Sequence, residues 1–231
     1  MNSFPEGFRS LVIGSTGAIG SAFVQALQAN PRCSEVLGLH RNSTPGVDFE
    51  DEASVGSAAA HVAKGRRLHL IVNASGVLRT PQSMPEKKLS DLHYAQLMDT
   101  FRVNTFGPAL VLRHFAPLLD AQRGVLVMLS AKVGSIGDNR LGGWYSYRAS
   151  KAALNMLVKT ASIELRRRNP HAVLASLHPG TVNSKLSRPF RGAEMGRSAM
   201  DAVAEMLQVV DRLSPADTGR FFSYNGAALP W

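Results

Sequence analysis

The stretch Ser10-Leu11-Val12-Ile13-Gly14-Ser15-Thr16-Gly17-Ala18-Ile19-Gly20 decides the fold. Ser10–Gly14 reads as a short buried strand, and a helical pattern runs from about Ala18 to Ala29. A glycine-rich turn from strand into helix lets the main chain approach a pyrophosphate, with the first helical amides pointing at the charge. A plain tight turn is the competing reading, which the strand before and the helix after disfavour. The spacing is Gly14-x-x-x-Ala18-x-Gly20, not the three-glycine dinucleotide fingerprint.

Outward from that turn, short apolar runs alternate with helical patterns, the signature of βαβ units and a parallel sheet. Strands are expected at Val36–His40, Arg67–Val72, Val125–Leu129, Val173–Leu177 and Phe221–Tyr224. Helices are expected at Ala53–Ala63, within Ser90–Asp120 with an interruption around Gly107-Pro108, and from near Tyr147 to about Arg168. No repeat, low-complexity tract or Pro/Ser linker divides the chain. The expectation is one α/β domain over residues 1–231, a doubly wound parallel sheet with helices on both faces.

Composition narrows the function classes. With 231 residues, 45% hydrophobic and 19% charged, the chain has the make-up of a soluble globular protein. No apolar run approaches the ~18–20 residues of a membrane helix, and the N-terminus lacks the order of a signal peptide. Cys33 is the only cysteine, so an intrachain disulfide is excluded and a reducing, cytoplasmic location is expected. The formal charge of +9 is scattered, its densest run being Arg166-Arg167-Arg168 at a helix end that suits cations. A nucleic-acid partner is therefore not expected, and a phosphate-rich cofactor is compatible with the charge. No metal site is expected.

Tyr147 and Lys151 stand four residues apart and share a helix face. A tyrosine near ~10 is a poor acid–base at neutral pH. A lysine ammonium one turn away favours the phenolate and draws that pKa toward the working range. Such a pair is commonplace on surface helices, and its weight comes from what lies around it. Tyr145 is off the face of Lys151 and is a poor rival.

Taken together, the motifs resemble the short-chain dehydrogenase/reductase family over nearly the whole chain, with the Rossmann-like fold that implies. Gly14, Ser15, Thr16, Ala18, Ile19 and Gly20 match its cofactor turn, with Ala18 in place of the middle glycine. Asn73-Ala74-Ser75-Gly76 is similar to its Asn-Asn-Ala-Gly element, and Asn104 to its catalytic asparagine. Tyr147 and Lys151 match its Tyr-x-x-x-Lys pair, and Pro179, Gly180 and Val182 its turn over the nicotinamide. The segments Tyr145–Arg148 and Phe221–Trp231 resemble the sniffer-type carbonyl reductases and the bacterial C-factor proteins.

The resemblance implies hydride transfer between a nicotinamide and a carbonyl or secondary alcohol. Tyr147 would move the proton, Lys151 would tune it and hold the ribose, and Asn104 would anchor a water. The second strand ends Leu39-His40-Arg41-Asn42 with no carboxylate, so Arg41 favours NADP(H) over NAD(H) by gripping the extra phosphate. Asp48 and Phe49 stand either at the adenine or, equally well, as a loop aspartate beside a core phenylalanine.

One departure concerns the catalytic serine. Counting back from Gly134 puts Ala131 in its place and leaves Ser130 one residue early, on the opposite strand face unless a bulge re-aims it. Ser130 is the first candidate and Ser135 the next. Substrate contacts are expected from Ala131–Trp144 and the loop 183–200, where Arg188, Arg191 and Arg197 either favour an acidic substrate or are solvated. Trp144 reads as pocket wall or as core. The family's habit implies a homodimer or homotetramer, for which the apolar face of Ala152–Ile163 would serve. The rival reading is a cofactor-binding signalling or regulatory protein of C-factor type with little or no turnover, which Ala131 favours.

Overall fold

The computed structural model describes residues 1–79, 84–184, 186–190 and 192–231. Its strands are β1 (Phe8–Ile13), β2 (Cys33–Leu39), β3 (Leu70–Asn73), β4 (Val125–Leu129), β5 (Val173–His178) and β6 (Phe221–Ser223). All pair in parallel in the order β2-β1-β3-β4-β5-β6. Parallel strands covered on both faces are buried throughout, and β1, β3 and β4 are buried at every position, Arg9 and Ser10 of β1 included. The chain leaves β1 toward β2 on one side and returns to β3 on the other. A crevice therefore opens beyond the carboxyl ends of β1 and β3, where doubly wound folds bind ligands.

The helices are α1 (Ala18–Gln28), α2 (Glu52–Val62), α3 (Tyr94–Phe101), α4 (Gly107–Phe115), α5 (Tyr145–Arg168), the short α6 (Gly192–Met195) and α7 (Ala199–Arg212). Phe23 and Leu27 of α1 and Val203, Met206 and Val210 of α7 cover one sheet face. Val55 of α2, Val111 and Phe115 of α4 and Leu154 and Val158 of α5 cover the other. Each such buried side chain contributes roughly 1.5–3 kcal/mol.

Three features depart from the sequence reading. The expected strand Arg67–Val72 is shorter and later, because Leu68 bridges only to Leu119. The break in Ser90–Asp120 is a π-helical turn at Arg102–Phe106 rather than Gly107-Pro108, which instead starts α4 with proline in its first turn. Helix α7 is absent from the reading although its signals stand in the sequence: Ser198 caps the Asp201 amide at 3.0 Å, and Ala202, Val203, Met206, Val209 and Val210 follow at helical spacing. No helix among the described residues is long and apolar enough to cross a membrane.

Candidate active site

The turn after β1 is built by close approach. Gly14 has φ +80°, and a Cβ there would stand 2.8 Å from the Ser75 amide nitrogen. A Cβ on Gly20 would lie 2.1 Å from the Gly14 carbonyl oxygen, so Gly20 serves the packing of helix on turn. Ser15 is tied to the end of β2, its amide donating to the Leu39 carbonyl at 3.2 Å. Helix α1 begins at Ala18 with no side-chain cap and no acidic residue in its first turn. Its first-turn amides and the positive end of its dipole suit an anion, and Ala18 is exposed.

Two cavities meet at Ser75. The first, of about 330 Å³, is lined by Gly14, Thr16, Arg41, Asp48 and Phe49 among the expected residues, and also by His40 and Arg102. Arg41 is two-thirds exposed, with Nε 3.7 Å from Asp48 Oδ1. Arg102, for which the sequence reading has no role, adds a second guanidinium to this cavity, 3.5 Å from Glu50 and 3.3 Å from Asp99. Phe49 both lines the cavity and lies across α4, its ring where a Cβ on Gly107 would be.

The second cavity, of about 260 Å³, is lined by Ile19, Ala74, Ser75, Gly76, Ser130, Tyr147, Lys151, Pro179, Gly180 and Val182. Ala131, Lys132, Val133, Trp144, His178 and Phe190 complete much of its wall. Asn73 and Asn104 stand behind it. Asn73 Oδ1 accepts the Ser75 hydroxyl at 2.6 Å. Asn104, fully buried in the π-turn, accepts the Val77 amide at 2.9 Å and donates to the Val77 carbonyl at 2.8 Å and Ser150 Oγ at 3.1 Å. Its side chain thus ties the loop after β3 to α5, from a π-turn of the kind frequent at functional sites.

Lys151 is buried, and its Nζ donates to the Leu129 carbonyl at 2.9 Å. A Cβ on Gly76 would come within 3.5 Å of both Lys151 Nζ and Asn104 Oδ1, which places the amine against the Asn73–Gly76 loop. Burial lowers the Lys151 pKa to about 8 and pushes the Tyr147 phenol up to about 12. The helical spacing predicts a lowering of Tyr147 by Lys151, whereas burial of the phenol sets the direction here and raises it.

Ser130 and Ala131 both face the cavity. Ser130 extends β4, its amide donating to the Leu177 carbonyl at 2.9 Å, and its Oγ is buried with no hydrogen-bond partner. Ser135 lies outside the cavity lining, with its hydroxyl accepting from the Asp138 amide at 3.1 Å. Of the two serines, only Ser130 lines this cavity, and its hydroxyl has no hydrogen-bond partner. His178 is a second group for which the sequence reading has no role. Its Nδ1 is buried and unpartnered, and desolvation, aided by the nearby Lys132 charge, lowers its pKa to about 4. Arg197 is engaged elsewhere, paired with Glu205 at 2.9 Å and stacked 4.5 Å from the Tyr224 ring centre. Arg188 is exposed, and Arg191 lies outside the described residues.

An uncapped helix start, a glycine cradle that a Cβ would fill, and two joined cavities with guanidiniums at the far end fit a nicotinamide dinucleotide. The family model for short chain dehydrogenases matches residues 8–194, and the chain belongs to that family of oxidoreductases. It is 34% identical over 188 residues to 1-hydroxy-2-glutathionyl-2-methyl-3-butene dehydrogenase of Rhodococcus sp. (strain AD45), covering 81% of this chain and 79% of that one. It is 40% identical over 146 residues to the C-signal of Myxococcus xanthus, covering 62% and 83% respectively. In structure it is similar to NADPH-bound carbonyl reductase from chicken fatty liver, with TM-score 0.85 and 27% identity over 99% of this chain and 96% of that one. The fold also matches carbonyl reductase Sniffer of D. melanogaster, with TM-score 0.84 and 23% identity over 99% and 100%.

Proposed function

We propose that the chain is an NADP(H)-dependent carbonyl reductase that interconverts a carbonyl and a secondary alcohol. The observation that carries the reading is the convergence of Tyr147, Lys151 and Ser130, whose hydroxyl is unpartnered, on one cavity that joins the glycine turn. The residues that would hold the cofactor are Gly14, Thr16 and Ile19 at the turn, Ser75 and Gly76 between the cavities, and Pro179, Gly180 and Val182 on the far wall. Arg41, with Arg102 beside it, would grip a 2′-phosphate by its guanidinium, and no carboxylate at the end of β2 competes for a ribose hydroxyl. When bound, the nicotinamide supplies or accepts a hydride.

The chain's own residues do the rest. Tyr147, protonated at neutral pH, donates its phenolic proton to the carbonyl oxygen. Ser130 donates a second hydrogen bond to the same oxygen as it gains charge. Lys151, held by the Leu129 carbonyl, places a cation behind the phenol. Asn104 keeps the Val77 backbone and α5 in register. The test is consumption of NADPH, and of NADH in parallel, by purified protein with a panel of aldehydes and ketones. The reading requires turnover with at least one carbonyl and a preference for NADPH.

A second reading, a C-factor-type signalling protein that binds cofactor with little turnover, is favoured by Ala131 and by the C-signal relative. Cofactor binding without turnover on any carbonyl would select it. A homodimer through α5 fits Met156 and Ile163, both exposed on that helix.

A further inference from the structure

Three consecutive residues at the mouth of the site take left-handed backbone: Gly142 at φ +64°, Gly143 at φ +64° and Trp144 at φ +52°, ψ +45°. Trp144 is the only non-glycine with positive φ among the described residues. For a bulky aromatic residue this conformation is a genuine outlier that persists only where its surroundings enforce it.

The enforcement is visible on both sides. The Trp144 amide donates to the Glu86 carbonyl at 2.5 Å. The Glu86 carboxylate, 2% exposed, accepts the Ser146 amide at 3.2 Å and the Ser146 hydroxyl. That acid caps the start of α5, where the helix dipole favours it. From the other side Arg148 Nε donates to the carbonyls of Gly142 at 3.1 Å and Gly143 at 2.9 Å, and Nη1 to Val133 at 3.2 Å.

The turn so clamped aims the indole into the cavity beside the reacting group. The Trp144 ring meets Tyr147 edge-on at 6.2 Å between centroids and Phe190 edge-on at 5.0 Å. Among the described residues, the cation at this cavity's substrate side, Lys132, is half-exposed and lies 3.5 Å from Asp138 Oδ2, which offsets its charge.

Resting on the reductase reading, we propose that Trp144 determines substrate choice and that the site takes carbonyl compounds bearing a flat, unsaturated ring next to the carbonyl carbon. Tyr147 must reach the carbonyl oxygen, which brings the substituent on that carbon within reach of Trp144 and Phe190. A π-ring there completes edge-to-face packing that a saturated ring cannot. Hydrophobic burial alone does not favour the flat ring, because cyclohexyl and phenyl groups offer similar apolar area.

The test uses acetophenone and cyclohexyl methyl ketone, which share a carbon framework and differ in ring unsaturation. Binding is measured by ligand-observed NMR on Tyr147→Phe protein, with and without saturating NADP⁺, so that no turnover intervenes. The aryl ketone is expected to bind about 2- to 10-fold more tightly. Trp144→Gly, which suits the left-handed backbone and so keeps the fold, is expected to abolish the difference, and Trp144→Phe to restore part of it. Equal binding of the two ketones, no binding of either, or an aryl preference that survives Trp144→Gly would overturn the proposal. Wild-type NADPH consumption is followed alongside. A Trp144-dependent aryl preference with no turnover would strike the reductase reading and leave this assignment standing.

Discussion

Lys151 Nζ lies 5.9 Å from the centre of the Tyr147 ring and is fixed there by the Leu129 carbonyl, 2.9 Å away. Burial acts on the two groups in opposite senses, raising the phenol to about 12 and lowering the amine to about 8. Through the neutral range, then, Tyr147 keeps its proton and Lys151 its charge. That is the ionisation state a proton donor for carbonyl reduction requires.

The consequence for pH is specific. A lysine pKa lowered to about 8 means loss of the ammonium above that pH. Reductive kcat/KM is expected to be flat below about pH 8 and to decline above it. Lys151→Arg, whose guanidinium stays charged, should not show that limb. A wild-type profile that runs flat to pH 10 or beyond would show that the Lys151 charge plays no part.

Ser130 carries the question raised by Ala131. Its buried, unpartnered hydroxyl in the cavity wall predicts that Ser130→Ala lowers kcat by about 10²-fold, the usual loss for one donor to a developing oxyanion. Ser135→Ala should cost stability through the lost Asp138 bond and leave kcat alone. Steady-state rates of the two variants decide; the reverse ranking would move the role to Ser135.

His178 predicts the acid limb of stability. A group whose folded pKa falls from 6.5 to about 4 is protonated more readily in the unfolded chain. Between pH 6.5 and about 4 the unfolded state therefore binds the extra proton, and stability falls with falling pH, by up to about 3 kcal/mol from this residue. Urea midpoints across that window should shift much less in His178→Gln than in wild type. An identical slope in both would assign acid sensitivity to other groups.

Arg41 and Arg102 line the same end of the crevice, and their removal should act on one cofactor only. Arg41→Ala is expected to weaken NADPH by about 10-fold or more while sparing NADH, since a bidentate guanidinium–phosphate pair is among the stronger polar contacts. Arg102→Ala should have a smaller effect in the same direction. Calorimetric titration with both cofactors checks this. Equal losses for NADPH and NADH would mean that neither arginine reads the phosphate.

The parts legible in the sequence are those set by local chemistry. The turn Gly14–Gly20, the Tyr147–Lys151 spacing and the six apolar strands needed only periodicity and glycine placement, and each lies where expected within a few residues. The rest depends on what packs against what. The π-turn at Arg102–Phe106 has no signature in its residues, and Arg102 at its start lines the cavity with Arg41. The left-handed Trp144 is enforced by Glu86, nearly sixty positions away in the chain, so Trp144 read equally as pocket or core. Helical spacing shows a neighbouring charge but not the burial of the phenol, which raises the Tyr147 pKa. Helix α7 is different, since its Ser198 cap and apolar spacing were there to be read.

The central claim is that Tyr147 moves a proton in a turnover reaction on a bound carbonyl. The direct measurement is Tyr147→Phe, assayed for NADPH binding by calorimetry and for carbonyl-dependent NADPH consumption. NADPH binding is predicted to hold within a few-fold while the rate falls by about 10²–10⁴-fold. A variant that turns over as fast as wild type, or a wild type that binds NADPH and reduces no carbonyl, would contradict it.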